Sequence, residues 1–313
     1  MFTALRVGAS IAMLAILVPR VHLRSLIPSW DTGTVEWLVA ALAVTFLGIV
    51  LSAVRWQRVL AVLDVRAGVS SLAAYQLAGV FVGNFLPSTI GGDVLRVTRL
   101  SAASGRGPDS FASVVLERLT GWIVLPVLTL AALALNPGLL HLGLASQVAV
   151  GLSVGTLVLL VVVLVVAASP GIGRRLQGHD GVLGFLRAVH LGLHRFRQSP
   201  GLAFEVLVAG FVYQLAVVGA AFLASQALGL EVGWTAMMAF MPAVAILQVL
   251  PITIGGLGVR EGAFVLFLSN SGLGVTANQA IGLGLLIYAV NLAVSLAGAP
   301  AFAVGGRTAP VAT

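Results

Sequence analysis

The sequence predicts an all-α integral membrane protein with about six full spans and two Pro/Gly-broken re-entrant hairpins arranged as an inverted repeat. Three observations predict it. The chain of 313 residues is 59% hydrophobic and only 9% charged, with a mean hydropathy of +1.09, whereas a soluble domain carries about 25% charged residues. Too little polar surface is available to cover such a chain in water, so its solvent is lipid. The second observation is the uneven placement of arginine along the chain. The third is an eleven-residue motif that occurs twice.

The elements follow in order. Apolar runs of spanning length lie at 3–18, 35–54, 119–135, 146–168, 202–228 and 277–304; a helix needs about 20 such residues to cross the hydrocarbon. The first run has the length and leading Arg6 of a signal peptide. No small-residue cleavage site follows it, and Pro19, Arg20 and His22 come next, so it reads as a retained helix. Two further apolar stretches, 69–100 and 234–268, are each too long for one span and are interrupted near the centre by Pro and Gly. Between 171 and 200 the chain is polar and basic, with Arg174, Arg175, Arg187, Arg195 and Arg197. Within it Leu183, Leu186, Val189, Leu193 and Phe196 recur at helical spacing, the pattern of an amphipathic helix on the membrane surface.

Arginine orients these elements. There is no lysine and no cysteine, and the net charge of +7 is carried by arginine. Excess basic charge on a membrane protein marks cytoplasmic loops rather than nucleic-acid binding, so segment 171–200 is placed inside. Alternation then puts Ala145 outside, Gly181 inside and both termini in the cytoplasm, the expected location being the plasma membrane. Every arginine except Arg20, Arg24 and Arg260 falls on the inner side. The stretch 69–100 must begin and end inside, and 234–268 must begin and end outside. Both are therefore expected to dip into the bilayer and return, from opposite faces.

Residues 86–96 read Leu-Pro-Ser-Thr-Ile-Gly-Gly-Asp-Val-Leu-Arg, and residues 250–260 read Leu-Pro-Ile-Thr-Ile-Gly-Gly-Leu-Gly-Val-Arg; seven of the eleven positions are identical. Each copy sits at the break of one hairpin, and the charge count, made without the motif, gives the copies opposite orientations. That is the pattern of an inverted-repeat transporter, whose broken helices meet near the midplane. The first unit is expected at 35–135 and the second at 202–304, within a single membrane domain.

The motif admits two roles. Pro87 and Pro251 free backbone groups, the pairs Gly91–Gly92 and Gly255–Gly256 allow close approach, and the N–H groups that follow form an anion site. Arg96 and Arg260 lie about one turn later, where a guanidinium can bind phosphate bidentately, and Thr89 and Thr253 add hydroxyls. In the other role the breaks only shape the hairpins and the arginines snorkel to the surface. Asp93, Glu117 and Glu261 are the acids nearest the motifs, available as ion-pair partners or proton carriers. Asn84 and Gln248, each three residues before its proline, are placed to bond freed backbone or to line a cavity.

Taken together, Gly83-Asn84-Phe85-Leu86-Pro87, Gly91-Gly92-Asp93, Arg96, Glu117-Arg118 and the stretch from Leu250-Pro251 to Gly255-Gly256-Leu257-Gly258-Val259-Arg260-Glu261-Gly262 resemble the transmembrane family named after lysylphosphatidylglycerol synthase. Arg55-Trp56 fits as well, and the resemblance covers nearly the whole chain. It implies a flippase-like protein that moves, or helps move, a polar-headed lipid between leaflets. The synthases also carry a soluble aminoacyl-transferase domain; the chain here ends at Thr313 soon after its last span, so the expectation is a stand-alone member without synthase activity. Archaeal relatives tied to dolichol-based glycosylation keep polyprenyl-phosphate lipids among the substrates implied.

The expected function is thus transbilayer movement of a phosphate-bearing lipid, bound by Arg96, Arg260, Thr89, Thr253, Gly91, Gly92, Gly255, Gly256, Asn84, Asp93 and Glu261. No catalytic constellation, metal-ligand pattern, cofactor fingerprint or ATPase motif is found, so no enzyme activity, metal or cofactor is expected. A membrane enzyme acting on lipid-linked substrates and a non-transporting scaffold subunit are the alternatives. A homo-oligomer or an unidentified membrane-enzyme partner is compatible with either.

Overall fold

A computed structural model describes residues 32–85, 91–169, 182–249, 256–270 and 272–303. The expected first span at 3–18, and Thr89, Thr253 and Gly255, lie outside the described residues. Every regular element among the described residues is helical. In order they are α1 (Thr32–Val62), α2 (Val69–Phe85), α3 (Gly91–Ser104), α4 (Gly107–Leu135), α5 (Leu144–Ala168), α6 (Val182–Gln198), α7 (Pro200–Ala227), α8 (Trp234–Val249), α9 (Val259–Phe264), α10 (Ala277–Leu296) and α11 (Gly298–Ala303). A π-helical turn, Val265–Ser269, continues α9. Helices α1, α4, α5, α7 and α10 are long and apolar enough to cross a bilayer. With the apolar side chains that α5 and α7 turn outward, among them Val158, Val161, Val165 and Phe204, this is an all-α integral membrane protein.

Several helices run past the limits read from hydropathy. α1 continues from the expected end at Val54 to Val62 and carries Arg55, Trp56 and Arg58 within the helix; it stops where Asp64 takes a left-handed φ of 55°. α4 starts at Gly107 rather than Leu119, with Pro108 in its first turn and Asp109 beside it, both favoured at a helix start. Its early turns therefore hold Glu117 and Arg118, which hydropathy had assigned to a loop. The last run, 277–304, is two helices: α10 ends at Leu296 and α11 begins at Gly298. A Cβ on Gly298 would lie 2.2 Å from the carbonyl oxygen of Leu77, so α11 packs directly against the backbone of α2. Both hairpin stretches are divided near the motif: α2 ends at Phe85 and α3 begins at Gly91, while α8 ends at Val249 and α9 begins at Val259.

The buried side chains form two clusters. One joins α1 and α2 to the early turns of α4 (Ala112 to Leu116), the late end of α5 (Ala167), α6 and the early end of α7 (Val206). The other joins α8, α9 and α10 to the late turns of α4 (Val124 to Leu133), the early end of α5 (Ala145, Ala149) and the late end of α7 (Val218 to Ala224). Opposite ends of the same three helices thus serve the two hairpins. The amphipathic helix α6 is present, and part of its apolar face packs on protein, while Leu183 stays exposed. Ala188 and Val189 are buried, and Gly192 rests on Leu116 of α4.

That contact yields a prediction. A Cβ on Gly192 would fall 2.1 Å from Leu116 Cδ2, so Gly192→Val should cost about 1–3 kcal/mol through overpacking. It should also accelerate tryptic cleavage at Arg187 and Arg195 of the detergent-solubilised protein. Gly151→Ala, which meets nothing within 4 Å, should leave both measurements unchanged. Equal cleavage of Gly192→Val and the parent chain would show that α6 does not depend on this contact.

Candidate functional site

The polar centre of the bundle is built on Glu117. It lies one residue beyond the buried Leu116 in α4, on the face turned toward α1 and α3. One carboxylate oxygen accepts from Arg55 Nη2 of α1 at 2.7 Å and from Ser52 Oγ at 3.1 Å; the other accepts from Arg96 Nη2 of α3. Glu117, Arg96 and Arg55 are only 1%, 3% and 7% exposed, so this is a charged cluster inside the protein. Charges removed from water need partners at close range, and here one carboxylate serves two guanidiniums.

The surroundings are shaped to hold these groups. Arg96 lies over the Trp56 ring at 4.2 Å and Arg55 over the Tyr213 ring at 4.6 Å, contacts that attract a cation most when water is excluded. Trp56 is itself oriented by donating its indole N–H to Ser113 Oγ at 2.9 Å. Glycines leave the room. A Cβ on Gly79 would sit 3.1 Å from Arg96 Cγ, one on Gly121 would sit 3.5 Å from Arg55 Nη1, and one on Gly210 would sit 3.7 Å from Arg55 Cδ. Gly79 and Gly92 bring the backbones of α2 and α3 into contact, since a Cβ on Gly92 would lie 2.3 Å from the Gly79 carbonyl oxygen. Asp93 extends the cluster outward: it accepts from Arg96 Nη1 at 3.2 Å and from both Nε and Nη2 of Arg118, at 3.1 and 2.8 Å. The sum over Arg55, Arg96, Arg118, Asp93 and Glu117 is one excess positive charge.

The second motif copy is built differently. Gly256 and Gly258 adopt φ of 72° and 85°, a region that favours glycine, and they turn the chain into α9. Glu261 closes the start of that helix by accepting the N–H of Gly258 at 2.5 Å. The expectation of an N-terminal anion site here is corrected to that extent, because the Gly258 amide is already taken by an internal carboxylate. Arg260 and Glu261 are buried, at 5% and 0% exposure, with Arg260 Nε 3.8 Å from Glu261 Oε1 and its guanidinium 5.1 Å from the Tyr288 ring. Gly284 of α10 faces Glu261, and a Cβ there would meet its Cγ at 3.1 Å.

Of the residues expected from sequence, the structure brings Arg96 together with Asp93, Gly92 at the α2–α3 contact, and Arg260 with Glu261. Gly91 opens α3. The named partners of Arg96 come from α1, α3 and α4 and those of Arg260 from α9 and α10, so the two clusters share no named residue. Asn84 and Gln248 each carry a buried side-chain NH2 without a hydrogen-bond partner among the described residues, at matching places in the two copies. Sequence reasoning left out Ser52, Gln76 and Ser113, and it gave Tyr213 and Tyr288 helix packing as their role. It placed Arg55 in a cytoplasmic loop, though the Arg55-Trp56 pair carried the resemblance. Only the extension of α1 past Val54 turns that pair inward.

Removing the central carboxylate tests the cluster. Glu117→Gln leaves Arg55 buried without its counter-charge and Arg96 with Asp93 alone, and should cost about 3–5 kcal/mol. Asp93→Asn should cost about 1 kcal/mol or less, because solvent screens its pair with Arg118, which is 60% exposed, and its other partner, Arg96, keeps Glu117. Thermal unfolding in detergent gives both values, and equal losses would deny Glu117 its central place.

The comparisons with known proteins agree with this architecture. The family described as "Lysylphosphatidylglycerol synthase TM region" matches residues 3–298. A protein of Methanothermobacter thermautotrophicus, described as "UPF0104 membrane protein", is 23% identical over 78% of this chain and 78% of its own length. The match extends across both hairpins, both arginine clusters and all the long helices, so the chain belongs to the family of the lysylphosphatidylglycerol synthase transmembrane region.

Proposed function

We propose that this protein moves a polar-headed, phosphate-bearing lipid, a phospholipid or a polyprenyl-phosphate-linked species, across the bilayer. The family links the chain to lipid handling in membranes. The observation that carries the finer reading is the buried arginine cluster with one excess positive charge, held inside a bundle of apolar helices. Ionisable groups at such a depth are costly and mark substrate paths. An unpaired phosphate in hydrocarbon costs far more than a leaflet preference offsets, so a path across needs fixed donors.

The proposed architecture is the inverted repeat, with the tips of the hairpins α2–α3 and α8–α9 re-entering from opposite faces. The packing supports it. Exchanging α1 with α7, α2 with α8, α3 with α9 and α4 with α10 carries the contact α1–α2 onto α7–α8. The same exchange carries α2–α3 onto α8–α9, α3–α4 onto α9–α10 and α4–α8 onto α10–α2, while α1–α7, which pack along much of their length, map onto themselves. The two core clusters at opposite ends of α4, α5 and α7 support the opposite entry of the hairpins. In the proposed cycle Arg96 and Arg260 engage the phosphate in turn. Arg96 leaves Glu117 to do so, and Arg55 remains to neutralise the carboxylate.

The test is headgroup accessibility in reconstituted vesicles, run across phospholipids and polyprenyl phosphates. Arg96→Ala and Arg260→Ala should nearly abolish transport. Arg96→Lys, which keeps the charge but loses the planar fork, should reduce it less. Folded alanine variants that transport at the parent rate would make the arginines structural anchors. Conversion of labelled lipid to a new product would instead favour a membrane enzyme.

The arginine bias also sets the proposed orientation, with the termini and α6 cytoplasmic. Because the chain lacks cysteine, single cysteines report cleanly. Ala145 is fully buried whereas Leu140, on the same side, is 46% exposed, so Leu140→Cys and Arg197→Cys are the pair to use. An impermeant thiol reagent on intact cells should label only Leu140→Cys, and labelling of Arg197→Cys alone would reverse the orientation.

A further inference from the structure

The two arginine clusters carry different net charges. Around Arg96 three guanidiniums face two carboxylates, Asp93 and Glu117. A phosphodiester, with one negative charge, brings that cluster to neutrality. Glu117 keeps Arg55 at 2.7 Å when Arg96 turns to the lipid. Around Arg260 one guanidinium faces one carboxylate, that of Glu261, so the pair is neutral before any ligand arrives. A phosphodiester held there leaves two anions on one cation in the interior, where unbalanced charge is costly.

The neighbouring elements do not supply the missing positive charge. Among the described residues Arg260 is the only cation within ion-pair distance of Glu261. Helices α8 and α10 and the π-helical turn Val265–Ser269 pack against α9. α8, the π-helical turn and the motif stretch 250–258 have no ionisable side chain, and α10 has Tyr288 alone. Its ring lies 5.1 Å from the Arg260 guanidinium, and a phenol supplies no positive charge. No side chain of these elements can do for Glu261 what Arg55 does for Glu117.

The two carboxylates also differ in how they are held. Both oxygens of Glu117 are engaged, Oε1 by Arg55 and Ser52 and Oε2 by Arg96. In Glu261, Oε2 accepts the Gly258 N–H at 2.5 Å. Its Oε1 is buried 3.8 Å from Arg260 Nε and has no hydrogen-bond partner among the described residues. A proton can therefore be placed on Oε1 without breaking the cap at the start of α9. We propose that Glu261 is a proton-binding site linked to the second phosphate site, taking up one proton when Arg260 turns from it to a lipid phosphodiester. An O–H bond forms at Oε1 with a proton from solvent, which the opening of the Gly256–Gly258 turn admits. When the lipid leaves, that bond breaks, the proton returns to solvent and Arg260 returns to the carboxylate. Guanidinium, neutral carboxyl and phosphodiester then sum to zero, as the first cluster does with its lipid and without a proton. The inference rests on the lipid-translocation reading for the identity of the anion. It adds regulation, because linkage is reciprocal: a proton on Glu261 favours phosphate at Arg260.

Proton uptake on binding is the test. The probe is phosphatidylethanol, a phosphodiester lipid with one charge and no other ionisable group, added to the full-length detergent-solubilised protein. Calorimetry in buffers of different ionisation enthalpy gives the protons taken up per lipid bound. Arg96→Ala, in which Arg55 still balances Glu117, isolates the second site. This variant should take up a proton with the lipid. Its affinity should fall as pH rises between about pH 5 and pH 8, by at most about tenfold per pH unit, the limit for one linked proton. Adding Glu261→Gln, whose amide oxygen still accepts from Gly258, should remove both the uptake and the pH dependence. Binding to Arg96→Ala without proton uptake, no binding to it, or uptake that survives Glu261→Gln overturns the proposal. If the double variant does not fold, the parent protein decides, since lipid binding that saturates with no proton taken up overturns the proposal equally. Two further measurements keep the translocation reading apart. Equal uptake with diethyl phosphate, which has the charge without the chains, supports the proton-linked site and removes the lipid from it. In reconstituted vesicles, uptake without lipid movement refutes translocation and leaves the site, whereas movement of a lipid that binds without uptake keeps translocation and refutes the linkage.

Discussion

Burying charge inside a membrane protein is the constraint on which the rest of this structure depends, and Glu117 is where it is met. A lone guanidinium in this interior would be too costly to hold, yet α1 and α3 each bring one there. The carboxylate between them turns two liabilities into a cross-link of three helices, α1, α3 and α4. The aromatic rings beneath each guanidinium and the glycines beside their stems follow from it, because a planar cation needs a flat partner and its chain needs room.

The two hairpins solve the same geometric problem with different chemistry. In the first, the acids come from a separate helix and from the start of α3, so Arg96 is tied to the rest of the bundle. In the second, Glu261 is the neighbour of Arg260 in sequence and also caps its own short helix, so the pairing is local. A symmetric device would favour neither side of the membrane. In the proposed cycle the unequal partners require different rearrangements to release the two arginines, one a parting of helices and the other the opening of a turn.

The polar network reaches beyond the ion pairs. A carboxylate that accepts from Ser52 dictates the direction of the next hydrogen bond, in which the Ser52 oxygen accepts from Gln76 of α2. The charge held at Glu117 thereby orders a chain of side chains that ties α4 through α1 to α2.

Sequence by itself determined the solvent, some of the spans and the breaks. Apolar runs of bilayer length suit lipid, and a proline followed by a glycine pair divides both hairpin stretches, so α5, α7, α8 and the divided hairpins lie where hydropathy and the motif place them. It also singled out Arg96 and Arg260, through their repetition. Only the tertiary structure decided which charges meet. Glu117 and Arg118 were read as part of a loop because a charged stretch lowers hydropathy, and Arg55 as a cytoplasmic anchor for the same reason. Hydropathy scores each residue as if it stood alone in lipid, whereas a carboxylate shared by guanidiniums 62 and 21 positions away removes that penalty. Nor did the repeat reveal that Gly192 of α6 rests on Leu116 of α4, or that α10 ends at Leu296 so that α11 can rest on the backbone of α2. Those outcomes depend on contacts between segments far apart in the chain, and periodicity within one segment carries no record of its partner.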